Sequence, residues 1–368
     1  MLTREQAQQA IYQIRDPELD RPLGDLDMIE ELRVLEDGKV SLKIALRSPH
    51  SPAKEKLEPL VRQALKEAGA SDVEIGWEVR VPSRPILPDD PIPEVKNVVL
   101  VMSGKGGVGK STTAANLTMA LHRAGYRVGL LDADMYGPSV PTMFGVMGRP
   151  RSVDGKRIEP LERFGVKLMS IGFLLETPTA AVVWRGPMLH GALMQFLGDV
   201  RWGKLDYLLL DLPPGTGDIA LTISQKLRST GAIIVTTPQE VALQDVYKSV
   251  SMCQKVGIPV LGVIENESYF ICDGCQKRHE LFGSGGGQKI AEFAHAPLLG
   301  QVPLDPSVRS WADGGTPIVQ AAPGSTVAQT FVEIADRLVE RIAELAQPQG
   351  LQIDRSGGSG PLHLKVVR

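Results

Sequence analysis

The chain has 368 residues, enough for two or three domains, and its 43% hydrophobic and 23% charged residues are ordinary for a globular protein. A formal net charge of -3 argues against a dedicated nucleic-acid-binding protein, which needs a basic surface to neutralise phosphates. No run of about 18 uncharged apolar residues is present, and the first residues lack the apolar centre of a signal peptide. We therefore expect a cytoplasmic protein with neither nucleic acid nor membrane among its partners.

The first part of the chain, residues 1–80, is predicted to be a small α+β domain. It resembles the small domain of iron-sulfur assembly factors through Asp16-Pro17-Glu18 and Ser51-Pro52. That family often has a cysteine before the second proline, where Ser51 stands here, so we assign this domain no thiol function. Asp16-Pro17-Glu18 fits either a helix-ending turn or a catalytic role. The predicted elements are a helix at 3–15, strands at 28–35 and 39–46, a helix at 52–68 and a strand at 72–79.

Residues 81–95 contain five prolines and are predicted to be a Pro-rich linker with an extended, semi-rigid backbone. Residues 96–346 then alternate strands and helices, which predicts an α/β domain with a mostly parallel sheet flanked by helices. Residues 347–368, rich in Gly and Ser at their centre, are predicted to be a flexible tail. The predicted strands are 98–102, 127–131, 166–170, 206–211, 232–237, 259–264 and 298–302, and the predicted helices are 188–200, 218–227, 241–256 and 325–346.

The most informative motif is GKGGVGKST at residues 104–112, which follows the apolar run VVLVM and precedes a helical pattern. It satisfies G-x-x-x-x-G-K-[ST], in which small residues let backbone N–H groups surround phosphate oxygens at a helix N-terminus. Lys110 is predicted to reach the β- and γ-phosphates, and the Ser111 hydroxyl to bind Mg²⁺. The alternative is a glycine-rich turn that binds nothing. The predicted nucleotide-binding residues here are Gly104, Lys105, Gly106, Gly107, Val108, Gly109, Lys110, Ser111 and Thr112.

Three acids lie at the ends of predicted strands in the same domain. Asp132 and Asp134 follow the second strand of the domain, and Asp211 ends the run YLLLD before LPPGTGD. An acid at the carboxyl end of a buried strand is costly without a partner, and Mg²⁺ bound to a triphosphate is the natural one. These acids complete a predicted nucleotide site for ATP and Mg²⁺.

Three segments, GKGGVGKST, LLDADMYGPS at 130–139 and DLPPGTGD at 211–218, together resemble the deviant Walker-A ATPases that include MinD, ParA and the nitrogenase iron protein. Within that group, VKLMSIGFLL, VWRGPM and IEN-x-SYF-x-C-x-x-C at 264–275 resemble the Mrp or ApbC type of iron-sulfur cluster carrier, over roughly residues 95–345. The glycine run at 282–287 is similar to that family's FG-x-GGG stretch, although its composition alone predicts a flexible loop.

The resemblance implies roles for four charged residues. Lys105 would be the signature lysine that reaches the phosphates of the partner's nucleotide across a dimer, where it adds positive charge during transfer. Asp134 would orient or activate the attacking water. Asp132 and Asp211 would support the magnesium shell.

The resemblance also implies contacts to the rest of the nucleotide. Gly215 would sense the γ-phosphate through its backbone N–H, and Asn266 would read adenine. The turn from Pro303 to Asp305 would close over the base. The family usually has methionine where Glu267 stands, which affects the local loop contacts but neither the cysteines nor Asn266.

Cys272 and Cys275 form a CxxC pair in a polar, glycine-containing loop. Three readings compete: a thioredoxin-like redox pair, a structural zinc site that takes His279 as a further ligand, and a metal or cluster shared across a twofold axis. The resemblance implies the third, with a 4Fe-4S cluster bridged by this pair. Cys253 shares a helical face with apolar residues, so a buried packing role is predicted.

The motifs predict an ATPase, and the resemblance implies that hydrolysis acts as a conformational switch and that the protein carries an iron-sulfur cluster at a homodimer interface. Its predicted partners are apoprotein recipients and upstream assembly factors. The alternatives are a MinD- or ParA-like positioning ATPase and an ATPase whose CxxC pair holds structural zinc.

Overall fold

The computed structural model describes residues 2–17, 20–46, 49, 51, 53–134, 137–152, 154–174, 186–215, 218–272 and 274–346. The predicted tail at 347–368 and residues 183–185 of VWRGPM lie outside these ranges. The helices are α1 (Arg4–Tyr12), α2 (Ala53–Glu67), α3 (Lys110–Arg123), α4 (Val140–Met143), α5 (Gly186–Gly198), α6 (Asp218–Lys226), α7 (Glu240–Val256), α8 (Gly286–Ala294), α9 (Pro306–Asp313), α10 (Ile318–Ala321) and α11 (Thr326–Ala346). The strands are β1 (Ile29–Val34), β2 (Val40–Leu46), β3 (Val73–Val79), β4 (Val95–Ser103), β5 (Val128–Asp132), β6 (Leu161–Arg163), β7 (Val166–Ser170), β8 (Leu205–Asp211), β9 (Gly231–Thr236), β10 (Val260–Glu265), β11 (Phe270–Ile271), β12 (Arg278–His279) and β13 (Leu298–Gln301).

The N-terminal elements form a three-stranded sheet in the order β1-β2-β3, in which β1 and β2 are antiparallel and β2 and β3 parallel. Helix α2 buries Leu57, Val61 and Leu65, one stripe at helical spacing, in a core separate from that of the large sheet. Ser51 Oγ accepts a hydrogen bond from the Ala53 N–H at 3.1 Å. Ser51, which stands where the resembled family has cysteine, therefore satisfies a backbone donor at the start of α2.

The large domain is built on an eight-stranded sheet in the order β13-β10-β9-β4-β8-β5-β7-β6. All neighbouring strands are parallel except β6 and β7. Every residue of β8 and β9 is buried, as expected for parallel strands covered on both faces. The predicted fold class, a mostly parallel α/β sheet with flanking helices preceded by a small α+β domain, is confirmed. The parallel arrangement brings the carboxyl ends of β4, β5, β8 and β10 to one edge.

Several short elements are absent from the sequence prediction. Strand β6 has three residues and α4 and α10 have four each, which is too short for a periodic signal. The reading of residues 282–287 as a flexible loop is wrong from Gly286 onward, because α8 begins there. The close contact of Gly286 with the Pro238 carbonyl explains the glycine: a Cβ would lie 2.7 Å from that oxygen.

Much of the predicted Pro-rich linker packs against the large sheet. Val81 and Ile92 belong to its core. Arg84 forms a fully buried ion pair with Asp90 and donates to the Ile92 carbonyl at 3.0 Å. Burial alone would raise the pKa of Asp90, but the Arg84 guanidinium and the Ile92 N–H hold it below its usual range. Residues 84–92 are thus held in place by an internal charge pair.

The last helix, α11, runs against α3 and buries the apolar stripe that its sequence predicts, including Phe331, Ile334 and Leu338. This stripe is core, as predicted, and is not free to bind a partner. Among the described residues, no helix is both long enough and apolar enough to cross a bilayer.

Candidate nucleotide site and cysteine hairpin

The glycine-rich loop connects β4 to α3 at the carboxyl edge of the sheet. Gly109 has φ +80°, in the left-handed region that favours glycine, and a Cβ there would lie 2.1 Å from Asn266 Nδ2. At Gly104 a Cβ would lie 2.4 Å from the backbone nitrogen of Val246 in α7. Glycine is therefore required at both positions by close approach, at Gly109 to the side chain of Asn266, which follows strand β10, and at Gly104 to the backbone of helix α7. The loop is a shaped structure held from two sides.

Lys110, the first residue of α3, points into a cluster of acids. Its Nζ contacts the Asp211 carboxylate, lies 3.7 Å from Asp134 Oδ2 and lies 3.3 Å from Ser111 Oγ. Only 6% of the Lys110 residue surface is exposed. The sequence-predicted phosphate lysine, its serine and two of the three predicted acids are thus brought together.

Asp132 and Asp211 end the neighbouring strands β5 and β8 in register with each other, and both are fully buried. Burial, followed by the charge of Asp211, raises the pKa of Asp132 to about 7. Burial also raises the pKa of Asp211, although the charge of Lys110 and its hydrogen bond act to lower it. Two buried acids beside one lysine leave a local excess of negative charge, which a cation would relieve.

The oxygens of these two acids are used differently. Asp132 accepts from Ser170 Oγ at 3.0 Å, from the Val140 N–H at 3.2 Å and from the Asp134 N–H at 3.1 Å, so it ties down the loop after β5. Asp211 Oδ2 is buried without a hydrogen-bond donor in the described part of the chain. A buried, unpaired carboxylate oxygen close to a hydroxyl suits Mg²⁺, which prefers oxygen ligands. The donor set therefore fits the predicted magnesium.

Asp134 and two further predicted residues, Gly215 and Lys105, lie at the same edge. Asp134 is 14% exposed in its side chain, less buried than the other two acids. The Gly215 N–H donates to the Ser103 carbonyl at 2.9 Å, so this bond must break before Gly215 can bind a phosphate. Lys105 is half-buried, its carbonyl accepts from Ser103 Oγ at 3.0 Å, and among the described residues its side chain takes part in no ion pair.

A cavity of ≈ 640 Å³ opens beside the end of the glycine-rich loop, where the base of a nucleotide is expected. Asn266, 9% exposed, donates from Nδ2 to the Val108 carbonyl at 3.0 Å. Asp305 caps α9 through the Ser307 N–H at 2.8 Å. Glu267, the departure from the resembled family, has φ +52°, and burial raises its pKa. The residues lining the cavity include Gly109, Thr112, Asn266, Glu267, Pro303 and Asp305.

The CxxC pair lies in a hairpin between β11 and β12. The Cys272 N–H donates to the Lys277 carbonyl at 3.0 Å, and the Gln276 N–H donates to the Cys272 carbonyl at 2.8 Å. Cys275 is exposed and Cys272 half-buried. This position differs from the helix start of a thioredoxin-like pair. Among the described residues, no group of three or more metal-ligating side chains exists, so His279 does not lie in a three-ligand group with the pair in this structure.

Cys253 lies apart from this hairpin, fully buried in α7, with its Sγ 3.6 Å from Met102 Sδ. Burial raises the pKa of its thiol to about 11, so it is not nucleophilic near neutral pH. The packing role predicted for Cys253 is confirmed.

Sequence reasoning missed a buried carboxylate between the cavity and the hairpin. Glu265 ends β10 with no exposed surface, and its oxygens accept from Ser268 Oγ, Gln301 Nε2 and the Gly287 N–H. A Cβ on Gly287 would lie 2.7 Å from Glu265 Cβ, so glycine lets the start of α8 reach the carboxylate. The only signal in the sequence is an acid at the end of an apolar strand, the pattern that identified Asp211.

A parallel sheet with a glycine-rich loop between β4 and α3, and acids at the ends of β5 and β8, defines a P-loop nucleotide triphosphatase. The family model described as ParA, NUBPL iron-transfer P-loop NTPase, matches residues 94–339, and that described as iron-sulfur cluster assembly protein matches residues 4–77. The first match covers more than half of the chain. The chain therefore belongs to the family of iron-transfer P-loop NTPases. Its NTPase domain is preceded, within the same chain, by an iron-sulfur assembly domain.

Similar proteins agree with this assignment. An iron-sulfur cluster carrier protein of Synechocystis is 42% identical over 353 residues, covering 94% of this chain and 99% of that protein. One of Escherichia coli is 43% identical and covers 89% of each. A nucleotide-binding protein of Archaeoglobus fulgidus, solved in complex with ADP, superposes with a TM-score of 0.54 at 41% identity and covers 61% of this chain and 88% of that one.

Proposed function

We propose that this protein is an ATP-hydrolysing carrier that holds a 4Fe-4S cluster between two copies of the chain and transfers it to apoproteins. The observation that carries the proposal is the cysteine hairpin. It presents two accessible thiols and has no third metal ligand near them in the described chain. It follows directly from strand β10, which ends one residue before Asn266. A reducing cytoplasm, where close cysteine pairs bind metal rather than form disulfides, suits this role.

The nucleotide half of the function rests on the acid cluster around Lys110. When a triphosphate enters, Lys110 exchanges its contact with Asp211 for the phosphates, and Ser111 and Asp211 are positioned to hold Mg²⁺. The bound ion supplies charge neutralisation at the phosphates. Asp134, the most accessible of the three acids, orients water, and Lys105 is available for the phosphates of a second copy.

The cluster half rests on counting ligands. A cubane cluster takes four cysteine thiolates, and each chain offers two in one hairpin, so a twofold axis through the hairpins supplies all four. The cluster is cargo, held by one exposed and one half-buried thiol of each hairpin, from which a recipient's cysteines can remove it by ligand exchange. Hydrolysis then changes the dimer that holds the cargo, as a switch.

Transfer is the property that separates a carrier from an ATPase with a resident metal. Anaerobically reconstituted protein is mixed with the apo form of a 4Fe-4S dehydratase, and recovery of dehydratase activity is followed with and without an iron chelator. Recovery that survives the chelator supports direct transfer. Recovery that the chelator abolishes, or no recovery from a loaded protein, would overturn the carrier role.

A further inference from the structure

The Glu265 carboxylate is buried with no cation in contact in the described structure. Its oxygens accept hydrogen bonds from neutral donors: Ser268 Oγ and Gln301 Nε2, the latter at 2.8 Å, bond one oxygen, and the Gly287 N–H bonds the other. Gly287 lies in the first turn of α8, where the helix dipole also favours a negative charge. Breaking any of these hydrogen bonds would leave a buried carboxylate oxygen without a donor, which costs free energy. The carboxylate therefore holds the three donors firmly in place.

These donors belong to three different parts of the molecule. Ser268 begins the segment that runs into the cysteine hairpin, Gln301 ends β13 next to the residues that line the cavity, and Gly287 is the second residue of α8. Glu265 itself is fixed in the sheet, because β10 pairs with both β9 and β13. The carboxylate therefore joins the hairpin, the cavity and a helix to one rigid strand end.

The neighbouring backbone strengthens the connection between cavity and hairpin. Val302 donates to the Glu265 carbonyl at 2.8 Å, Ser268 donates to the Val302 carbonyl at 2.9 Å, and Leu304 donates to the Tyr269 carbonyl at 2.7 Å. Three backbone hydrogen bonds thus connect residues 265–269 to residues 302–304, which line the cavity. On the other side, Asn266 bonds the glycine-rich loop through Val108.

We infer that Glu265 is a positioning residue that couples occupancy of the nucleotide cavity to the geometry of the Cys272–Cys275 hairpin, with Ser268 as the tether on the hairpin side. A base in the cavity contacts residues that share hydrogen bonds with 265–269, so its binding shifts or stiffens that segment. The Ser268–Glu265 bond passes the change to the hairpin, whose first strand begins at Phe270, two residues after Ser268. This inference rests on the proposed nucleotide site.

The test measures alkylation of Cys272 and Cys275 by iodoacetamide in cluster-free, reduced, full-length protein, with and without Mg²⁺ and a non-hydrolysable ATP analogue. Mass spectrometry locates the modified thiols. We call the ratio of the alkylation rates with and without nucleotide the nucleotide ratio. We expect a nucleotide ratio that differs from one by about fivefold or more in the parent, and by less than about twofold in Ser268→Ala. Nucleotide affinity, measured with a fluorescent analogue, stays at the parent value because Ser268 touches no part of the phosphate site.

Ser249→Ala is the matched control, since it removes another fully buried serine hydroxyl, bonded to the Asp245 carbonyl at 3.3 Å, and should keep the parent ratio. Glu265→Gln is the second variant, in which an NH2 donor replaces one of the two acceptor oxygens. The effect of nucleotide on the alkylation rate should fall to less than about twofold, as in Ser268→Ala. A parent protein that binds nucleotide without any change in thiol reactivity, or a folded Ser268→Ala protein with the parent ratio, overturns the inference. Nucleotide binding and iron loading are measured separately, so failure of the coupling is distinguished from failure of the proposed function.

Discussion

Replacing Lys110 by methionine removes the cation that contacts the buried Asp211 in the described structure while keeping most of the side-chain volume. Lys110 is 6% exposed and Asp211 is not exposed at all, so the variant leaves a carboxylate buried beside Asp132 without its partner. Removing one member of a buried ion pair costs about 3–5 kcal/mol. Some water will enter the open site, so we expect Lys110→Met to lower the free energy of unfolding by about 3 kcal/mol near pH 8.

The loss should depend on pH in a defined direction. Burial raises the folded-state pKa of Asp132 to about 7 and raises that of Asp211, whereas an unfolded aspartate titrates near about 3.9. An acid with a raised folded pKa binds its proton more tightly when folded, so stability falls as pH rises from the unfolded value through the folded value. Without Lys110 the folded-state pKa values of these acids rise further, so the stability of the variant falls more between pH 5.5 and pH 8 than that of the parent. The stability difference between parent and Lys110→Met should therefore be about 1–2 kcal/mol smaller near pH 5.5 than near pH 8.

Urea unfolding of the parent and of Lys110→Met at both pH values, without nucleotide, measures this difference. Lys105→Met is the control: it removes a lysine of the same loop that has no ion pair among the described residues, and should cost less than about 1 kcal/mol at either pH. An equal loss for Lys110→Met at both pH values, or a gain in stability near pH 8, would refute the electrostatic account of the site. Either result would mean that the acids are hydrated or protonated irrespective of the lysine.

Other predictions concern catalysis and the buried segment before β4. Asp134→Asn should bind ATP with parental affinity, measured by equilibrium titration, and lose turnover, because Asp134 acts on water; weakened binding like that of Lys110→Ala would argue against that role. Lys105→Ala should turn over slowly and be partly rescued in mixed dimers by Lys110→Ala subunits, which supply the missing lysine in trans; unchanged rates on mixing would indicate a local lysine. Asp90→Asn should destabilise the protein by about 3 kcal/mol in urea by leaving Arg84 buried and unpaired, and a cost below about 1 kcal/mol would show that the pair is hydrated.

The sheet and the phosphate loop could be predicted because each depends on local sequence. Fully buried strands such as β8 give continuous apolar runs, and the glycine-rich loop has a motif with fixed spacing. The clustering of Lys110 with Asp211 also follows, since parallel strands end at one edge.

The remaining features could not be predicted because they depend on contacts between distant parts of the chain. The three donors to Glu265 come from a loop, a helix start and another strand, and no spacing in the sequence connects them. The packing of Arg84 against Asp90 depends in the same way on the surface that covers them, and proline content alone indicates only an extended, semi-rigid connection. Short elements such as α4 have too few residues to show a period.

The measurement that tests the carrier account most directly is iron and sulfide counting on anaerobically reconstituted protein, combined with size-exclusion chromatography and light scattering. We predict one 4Fe-4S cluster per dimer for the parent and for Cys253→Ser, whose thiol is buried in α7. Cys272→Ser and Cys275→Ser should bind little iron, because either change leaves the shared cluster with two cysteine ligands in place of four. A monomer that retains a full cluster, or a Cys272→Ser, Cys275→Ser double variant with undiminished iron, would contradict the account.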